Sequence, residues 1–224
     1  MCGRFDQHHS ADEYALALGW DLYRNTSEAE PLFNVAPGTL RPVFHIDAGA
    51  AAIDDVHWGY QASWAVEKIP VAINTRLEKI SNRYWGRLFK NGRAIVAADG
   101  WYEWTGEKGH KQPWHIHRRQ HEPLFMAALA NFASNSDNPA AHGFTLVTAA
   151  AAGGMVDLHA RRPLVFTAAD AAIWLDPGCS PEQASQLAHS VALGPQAFAW
   201  FKVAKAVGKV SKQGPELVVP IELV

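Results

Sequence analysis

Cys2 is the residue whose position suggests the most distinctive chemistry, because it directly follows Met1 in the run Met1-Cys2-Gly3-Arg4-Phe5. Cys is small enough for Met1 to be removed, which would leave a terminal residue with an α-amine and a thiol on adjacent carbons. An aldehyde reacts with both, since the amine forms an imine and the thiol then closes a five-membered thiazolidine. Ordinary pKa values of about 7.7–8.0 for the amine and about 8.5 for the thiol leave a useful fraction of each unprotonated near neutral pH. A small terminal residue without a chemical role is the alternative.

A polar segment from Asn74 to Glu78 follows an apolar run that is typical of a buried strand. Side chains alternate along a strand, so Asn74 and Arg76 are predicted to share one face. An amide and a guanidinium at the end of a strand are typical of a binding site. A structural ion pair between Arg76 and Glu78 is the alternative that the sequence leaves open.

Glu103 lies among three aromatic residues in the segment from Gly100 to Trp104. Desolvation among aromatic rings would raise the pKa of its carboxyl group toward values that suit general acid and base catalysis. A glutamate that points to solvent from the edge of an aromatic core is the alternative.

His159 begins a third polar cluster, in which Arg161 and Arg162 follow it closely. Histidine titrates near neutral pH, and arginine is well suited to bind phosphate oxygens. The combination indicates acid and base chemistry beside a phosphate group. A purely structural histidine is the alternative.

The histidines of the chain do not predict a metal site. His115 and His117 share a strand face by alternation, but no carboxylate or thiolate is expected beside them. His8 and His9 lie in a polar stretch that is interpreted as a loop, and Cys179 is interpreted as an incidental loop thiol. We therefore expect neither a metal nor a cofactor.

The composition favours a soluble, cytoplasmic protein with one domain over residues 1–224. The 224 residues are 48% hydrophobic and 19% charged, which is enough to bury a sizeable core. No apolar run approaches the roughly 20 residues of a membrane helix, and no basic and then apolar leader is recognised. The net charge of -2 argues against a nonspecific DNA coat, so phosphate binding would need a local basic patch.

Short apolar runs predict a chain rich in strands. Strands are expected at 41–46, 51–58, 71–74, 94–98, 112–117, 124–130 and 144–148, and helices at 11–19, 80–90, 168–175 and 181–188. The helices do not alternate regularly with the strands, which argues against a doubly wound parallel sheet. We predict an α+β domain dominated by antiparallel strands.

Four motifs, in this order and spacing, resemble the SRAP family, the SOS-response-associated peptidase domain. They are Cys2-Gly3-Arg4-Phe5, Asn74-Thr75-Arg76-x-Glu78, Gly100-Trp101-Tyr102-Glu103-Trp104 and His159-x-Arg161-Arg162-Pro163. Matching segments at 34–38, 58–60, 97–100, 147–151 and 206–208 extend the resemblance over nearly the whole chain. It implies a barrel-like antiparallel core with flanking helices and a basic groove that leads to Cys2.

The resemblance also implies covalent capture of abasic sites in single-stranded DNA by lyase-like imine chemistry. The ring-opened abasic sugar is an aldehyde, which the mature Cys2 would trap as a thiazolidine. In the family pattern Asn74 holds the Cys2 terminus, Glu103 shuttles protons, and His159 assists ring opening and reversal. The residues expected to contact DNA are Arg4, Pro37, Arg76, Arg83, Trp104, Thr148 and Arg161.

One segment departs from the family pattern. A pair of aromatic residues often follows the Trp-Gly-Tyr element, whereas residues 61–65 supply only Trp64. The departure puts a preference for DNA junctions in doubt, but it does not affect the crosslinking chemistry.

Two other functions stay open. The family name suggests a cysteine peptidase that removes its own Met1, with Cys2, His159 and Glu103 as a thiol-protease constellation. A non-catalytic binder of single strands would need the basic groove but neither Glu103 nor His159. The expected partner is single-stranded DNA that contains abasic sites, with no membrane and no metal, and the protein is expected to be a monomer.

Overall fold

Strands outnumber helices in the computed structural model, which describes residues 2–132 and 137–221. The strands are β1 (Phe5–Gln7), β2 (Arg24–Asn25), β3 (Leu32–Val35), β4 (Leu40–Asp47), β5 (Ala50–Trp58), β6 (Asn74–Arg76), β7 (Arg93–Ala98), β8 (Gly100–Thr105), β9 (Gln112–Arg118), β10 (Leu124–Ala130), β11 (Gly143–Ala150), β12 (Arg161–Pro163), β13 (Val165–Phe166) and β14 (Phe198–Lys202). The helices are α1 (Ala11–Ala17), α2 (Gly86–Asn91), α3 (Ala168–Leu175) and α4 (Pro181–Ser190). The predicted α+β class is confirmed.

The larger sheet closes on itself. Strands β11, β10, β7, β4 and β5 pair in that order, and β5 pairs again with β11, where Phe144 lies opposite Trp58. The two backbones approach closely at this point, since a Cβ atom on Gly143 would lie 1.9 Å from the carbonyl oxygen of Gly59. Only glycine fits there. The closed ring confirms the barrel-like core.

The smaller sheet positions the start of the chain. Its strand order is β14-β9-β8-β1-β3, and all its pairings are antiparallel. Phe5 on β1 lies opposite Trp101 on β8, and the N–H of Tyr102 donates to the carbonyl of Arg4 at 3.0 Å. The residues around Cys2 are thereby held beside the strand that carries Glu103.

A buried apolar cluster joins the two sheets. It contains Phe5 and Trp101 from the smaller sheet and Trp58 and Phe144 from the closed ring. The Phe5 and Trp58 rings lie 4.8 Å apart. Each large apolar side chain contributes about 1.5–3 kcal/mol through burial. Cys2 belongs to the same cluster and is fully buried, so its surroundings are apolar.

Side-chain caps fix where three of the helices begin. Ser10 forms a reciprocal capping box with Glu13 at α1, Ser180 caps α4, and Thr167 caps α3. The helices bury Tyr14 and Trp174 in a second apolar cluster. Within the described residues, no helix has the length and apolar character needed to cross a membrane.

Most predicted strands and helices are confirmed to within one or two residues, but two are displaced. The strand expected at 71–74 is instead β6, Asn74–Arg76, because it pairs in parallel with β11. The helix expected at 80–90 begins only at Gly86. The Asn82 side chain accepts from the N–H groups of Tyr84 and Trp85 at 2.9 and 3.0 Å, and this local turn competes with a helix.

Candidate active site around Cys2

The main chain of Cys2 is held by Asn74. Asn74 Nδ2 donates to the Cys2 carbonyl at 2.7 Å, and the Cys2 thiol lies 3.8 Å from the carbonyl of Arg4. The parallel pairing of β6 with β11, in which Asn74 lies opposite Leu146, sets the position of the amide. Two residues that are distant in sequence are thus joined at the site.

The environment of Cys2 keeps its thiol protonated. Burial raises the pKa of the thiol well above its ordinary value, and the nearby Glu103 carboxylate raises it further. The expectation that an ordinary pKa leaves a useful thiolate fraction is therefore wrong for this pocket. A base must remove the thiol proton before sulfur acts as a nucleophile.

Glu103 meets the requirement for such a base. Its side chain on β8 is 5% exposed, and burial raises the pKa of its carboxyl group from 4.5 to about 7. The predicted desolvation of Glu103 is confirmed. Near neutral pH the group is divided between its acid and base forms, which suits transfer of a proton in either direction.

His159 shares a small cavity with Glu103. His159 Nδ1 lies 2.9 Å from the backbone nitrogen of Arg161 and 3.1 Å from its carbonyl oxygen, so the main chain of Arg161 holds the ring in place. Burial lowers the pKa of His159, which favours the neutral form of the ring. The other residues that line the cavity are Trp101, Ile116, Met155, Leu158, Arg161 and Arg162.

Arg161 is paired with Glu78 rather than left open to the cavity. Its two terminal nitrogens donate to the two Glu78 oxygens at 2.7 and 3.0 Å, so Glu78 forms this ion pair with Arg161 rather than with Arg76. Arg161 Nη2 also donates to the carbonyl of Thr148 and lies 3.3 Å from its hydroxyl. Thr148 is fully buried, and its hydroxyl donates to the Thr75 carbonyl at 3.1 Å. In this conformation Thr148 positions Arg161.

Arg4 joins three distant parts of the chain. Its Nη1 donates to Asn34 Oδ1 at 2.7 Å and to the Val207 carbonyl at 2.9 Å. Asn34 Nδ2 donates to the same carbonyl at 3.1 Å, and the Arg4 guanidinium lies 5.9 Å from the Trp104 ring. The segments near residues 4, 34 and 207, all parts of the motif pattern, therefore meet in space.

The remaining predicted DNA contacts are spread over the surface. Arg76 and Pro37 are exposed, and Trp104 is half-buried below Arg4. Arg83 is exposed and lines a cavity of about 330 Å³ with Trp64, which shares no lining residue with the cavity at Glu103. Their contact with DNA stays a prediction.

Two features were missed by the sequence analysis. Arg162 is 8% exposed and lines the cavity of Glu103 and His159, a role that its place beside Arg161 in the motif could have indicated. The expectation that no carboxylate lies beside His115 is wrong, since Asp6 Oδ2 lies 3.2 Å from His115 Nε2. No local pattern relates residues 6 and 115, because only the order of β1, β8 and β9 brings them together.

The fold and the site define an α+β protein with a strand-rich barrel and a buried cysteine beside a carboxylate of raised pKa. The model of the SOS response associated peptidase family, SRAP, matches residues 1–210 of the chain. The chain therefore belongs to the SRAP family.

Individual relatives agree with this assignment. The chain is 39% identical to "Abasic site processing protein YedK" of Escherichia coli (strain K12), over 99% of this chain and 100% of that protein. It is 28% identical to "Abasic site processing protein HMCES" of Gallus gallus, over 86% of this chain and 67% of that protein. A phage-related protein of Bordetella bronchiseptica has a similar crystal structure, with a TM-score of 0.79, 33% identity and coverage of 92% and 95%.

We expect Glu103→Gln to stabilise the fold at alkaline pH. A carboxyl group whose pKa rises from 4.5 to about 7 on folding costs stability as pH rises above 4.5, and the cost is complete above pH 7. The variant lacks this cost, so it should gain about 3 kcal/mol at pH 8 and converge with the wild type near pH 4. Urea unfolding across this pH range measures the difference. The exposed Glu107→Gln is the matched control, and an equal pH profile for all three proteins would contradict the burial of an ionisable Glu103.

Proposed function

We propose that this protein captures abasic sites in single-stranded DNA through a thiazolidine bond to Cys2, after Met1 has been removed. The observation that carries the proposal is a buried Cys2 held by Asn74, with a thiol beside a carboxyl group whose pKa is about 7. The names of the relatives above support abasic sites as the substrate class. Met1 lies outside the described residues.

Asn74 is suited to hold the α-amine of a mature Cys2. Its Oδ1 is buried and has no hydrogen-bond partner among the described residues, whereas its Nδ2 already donates to the Cys2 carbonyl. A buried acceptor without a hydrogen-bond partner lowers the stability of the fold. The terminal amine of a mature Cys2 would supply the missing donor. The Asn74 side chain would then hold both the α-amine and the carbonyl group of Cys2.

The crosslink forms in two steps. Glu103 acts as an acid in the first step and as a base in the second. The amine adds to the sugar aldehyde, and Glu103 as an acid protonates the departing hydroxyl, so that water leaves and a protonated imine remains. Glu103 as a base then takes the thiol proton while sulfur bonds to the imine carbon and the C=N electron pair moves to nitrogen, which returns Glu103 to its acid form. Aldehyde and cysteine thus give thiazolidine and one water. A group with a pKa of about 7 serves both steps at neutral pH.

His159 would assist opening of the sugar, and two observations support this role: it shares the cavity with Glu103, and the main chain of Arg161 holds its ring. As a neutral base, His159 would take the proton of the sugar C1 hydroxyl and deliver it to the ring oxygen as the C–O bond breaks and the aldehyde forms. The same group would return a proton on reversal of the crosslink, since a catalyst of the forward path also serves the reverse path.

Phosphate binding would draw on arginines near this cavity. Arg76 is exposed at the end of β6, and Arg161 already holds a bidentate anion in Glu78. A phosphate has the same forked acceptor geometry as a carboxylate, so DNA would replace Glu78 on Arg161. Such a local patch is compatible with the net charge of -2.

A thiol peptidase is less well supported than crosslinking. A cysteine peptidase uses a thiolate of low pKa next to a protonated histidine. Here burial raises the pKa of Cys2 and lowers the pKa of His159, so both groups are driven to their neutral forms. Imine chemistry followed by assisted thiol addition requires neither charged form in advance.

We expect purified protein to form a denaturant-stable adduct with abasic single-stranded DNA but not with intact DNA. Cys2→Ala should abolish it, because the thiol closes the stable ring. Cys2→Ser keeps the amine, so it should give only an imine that borohydride traps. Cys179→Ala is the matched control and should crosslink as the wild type does. Denaturing gels and intact mass measure the outcome, and a full yield of stable adduct from Cys2→Ala without reductant would show that the nucleophile lies elsewhere.

Glu103→Gln and His159→Ala should slow crosslinking without preventing it. General acid and base catalysis typically contributes about 10²–10⁴ in rate, so the adduct should reach the same final yield later. Because Glu103 acts first as an acid and then as a base, the wild-type rate should be highest near pH 7, where both forms are populated, and Glu103→Gln should lack this optimum. Release of a preformed labelled adduct into excess unlabelled abasic DNA should also be slower for His159→Ala. If both variants formed and released the adduct at wild-type rates, Glu103 and His159 would have a structural role and no part in proton transfer.

Glu78→Gln should tighten binding of intact single-stranded DNA about two- to fivefold, because it frees Arg161 from an ion pair worth about 0.2–1 kcal/mol. Glu107→Gln removes the same charge from an exposed position and is the control for long-range electrostatics. Fluorescence anisotropy at fixed salt measures both variants. Equal affinities for the two would indicate that Arg161 supports the fold and does not bind phosphate.

A further inference from the structure

A cluster of histidine and carboxylate side chains lies where β1 ends, outside the residues assigned to crosslinking. His8 and His9 follow β1 directly, and Asp99 lies between β7 and β8. The N–H of Asp99 donates to the Asp6 carbonyl at 2.8 Å, which brings the β7 to β8 corner beside the two histidines. The cluster therefore depends on the same pairing of β1 with β8 that positions Glu103.

The ligand atoms of this cluster lie within coordination distance of one another. His9 Nδ1 is 2.6 Å from Asp99 Oδ1, and His8 Nδ1 is 3.2 Å from Asp99 Oδ2. One ligand atom from each of His8, His9 and Asp99 falls within 4.8 Å of the others. Asp6 Oδ1 lies 2.8 Å from His8 Nδ1 and is a further oxygen at the edge of the group.

We propose that His8, His9 and Asp99 bind one zinc ion, with a water molecule in the fourth position of a tetrahedral site. Imidazole nitrogen and carboxylate oxygen form bonds of about 2.0–2.2 Å with zinc, and a tetrahedral site places neighbouring ligand atoms roughly 3.3 Å apart. The spacings above need only small side-chain movements to reach this geometry. The expectation that the chain binds no metal considered His115 and His117, which are not ligands in this proposal.

Two carboxylates facing one ring nitrogen favour a cation at this position. The single proton on His8 Nδ1 serves either Asp6 or Asp99, whereas a divalent ion bound to His8 and Asp99 would also attract the nearby Asp6 carboxylate. Asp6 is fully buried, and the Asp99 side chain is 11% exposed, so their negative charges are poorly screened by water. A zinc ion would neutralise them together.

The surrounding groups already orient the ligands as the outer shell of a metal site does. The Tyr14 hydroxyl and the N–H of His8 donate to Asp99 Oδ2, the latter at 2.8 Å, and His115 Nε2 lies 3.2 Å from Asp6 Oδ2. The His8 ring stacks on Phe33 with 4.7 Å between the ring centroids and 8° between the planes. Partners of this kind fix ligand orientation and strengthen binding.

An ion can reach the cluster from solvent. The His9 side chain is 46% exposed and that of His8 is 28% exposed. A cavity of about 220 Å³ opens beside them, lined also by His115, His117 and His121. Because Cys2 lies elsewhere and none of these ligands takes part in the proposed crosslinking, the zinc proposal stands or falls independently of it.

The test uses the full chain without a polyhistidine tag, stripped of metal with a chelator. After equilibration with Zn²⁺ and gel filtration, metal analysis should find about one zinc ion per chain, and zinc should raise the melting temperature. Titration calorimetry with Zn²⁺ should give an affinity that falls about tenfold or more in His8→Gln and in His9→Gln, because each loses a ligand. Zinc that is lost on gel filtration of the wild type, together with an unchanged melting temperature, would overturn the proposal.

Matched controls separate the cluster from other histidines. His110→Gln and His189→Gln change histidines outside the cluster and should bind zinc as the wild type does. Asp99→Asn keeps the side-chain shape and should also lose the ion, and circular dichroism without metal checks that each variant is folded. Wild-type affinity in His8→Gln and His9→Gln, or an equal loss in the control variants, would place the zinc elsewhere and overturn the assignment.

Discussion

The burial of Cys2 beside Glu103 is the constraint on which the proposed chemistry depends. Both groups are acids, and a low-dielectric environment raises the pKa of each, since it disfavours the charged forms. The two raised pKa values have different consequences. The thiol becomes too weak an acid to ionise by itself, whereas the carboxyl group reaches a pKa of about 7 and exchanges protons readily. One apolar pocket thus creates both the need for a base and the base itself.

The position of this pair rests on contacts between segments that are far apart in the chain. Asn74 reaches Cys2 because β6 lies on β11, and Arg4 is tied to Asn34 and to the Val207 carbonyl. The closed ring beneath them leaves little freedom for these strands to shift. The paired strands therefore fix the main chain around Cys2, and a fixed position of the reacting group favours the proposed reaction.

The sequence pattern predicts best the helices and strands that are stabilised by contacts between residues close together in the chain. Helices α3 and α4 lie where the apolar pattern predicts them, and the side chains of Thr167 and Ser180 cap them through contacts within a few residues. Strand β6 was misplaced because its partner is β11, 70 residues or so further on, and its own sequence gives no register. The turn at Asn82 was missed because one side-chain amide outweighed a helical pattern. The motifs of the family resemblance, by contrast, marked the site residues without any knowledge of their geometry.

The sequence by itself determined the α+β class, the family motifs and the identity of Cys2, Asn74, Glu103 and His159 as candidates, because these depend on residue type, order and periodicity. The tertiary structure decided which charges meet. It paired Arg161 with Glu78, and it raised the pKa values of the Cys2 thiol and the Glu103 carboxyl group. Electrostatic interactions and desolvation depend on distance and burial, and both are properties of the folded chain that no stretch of sequence contains.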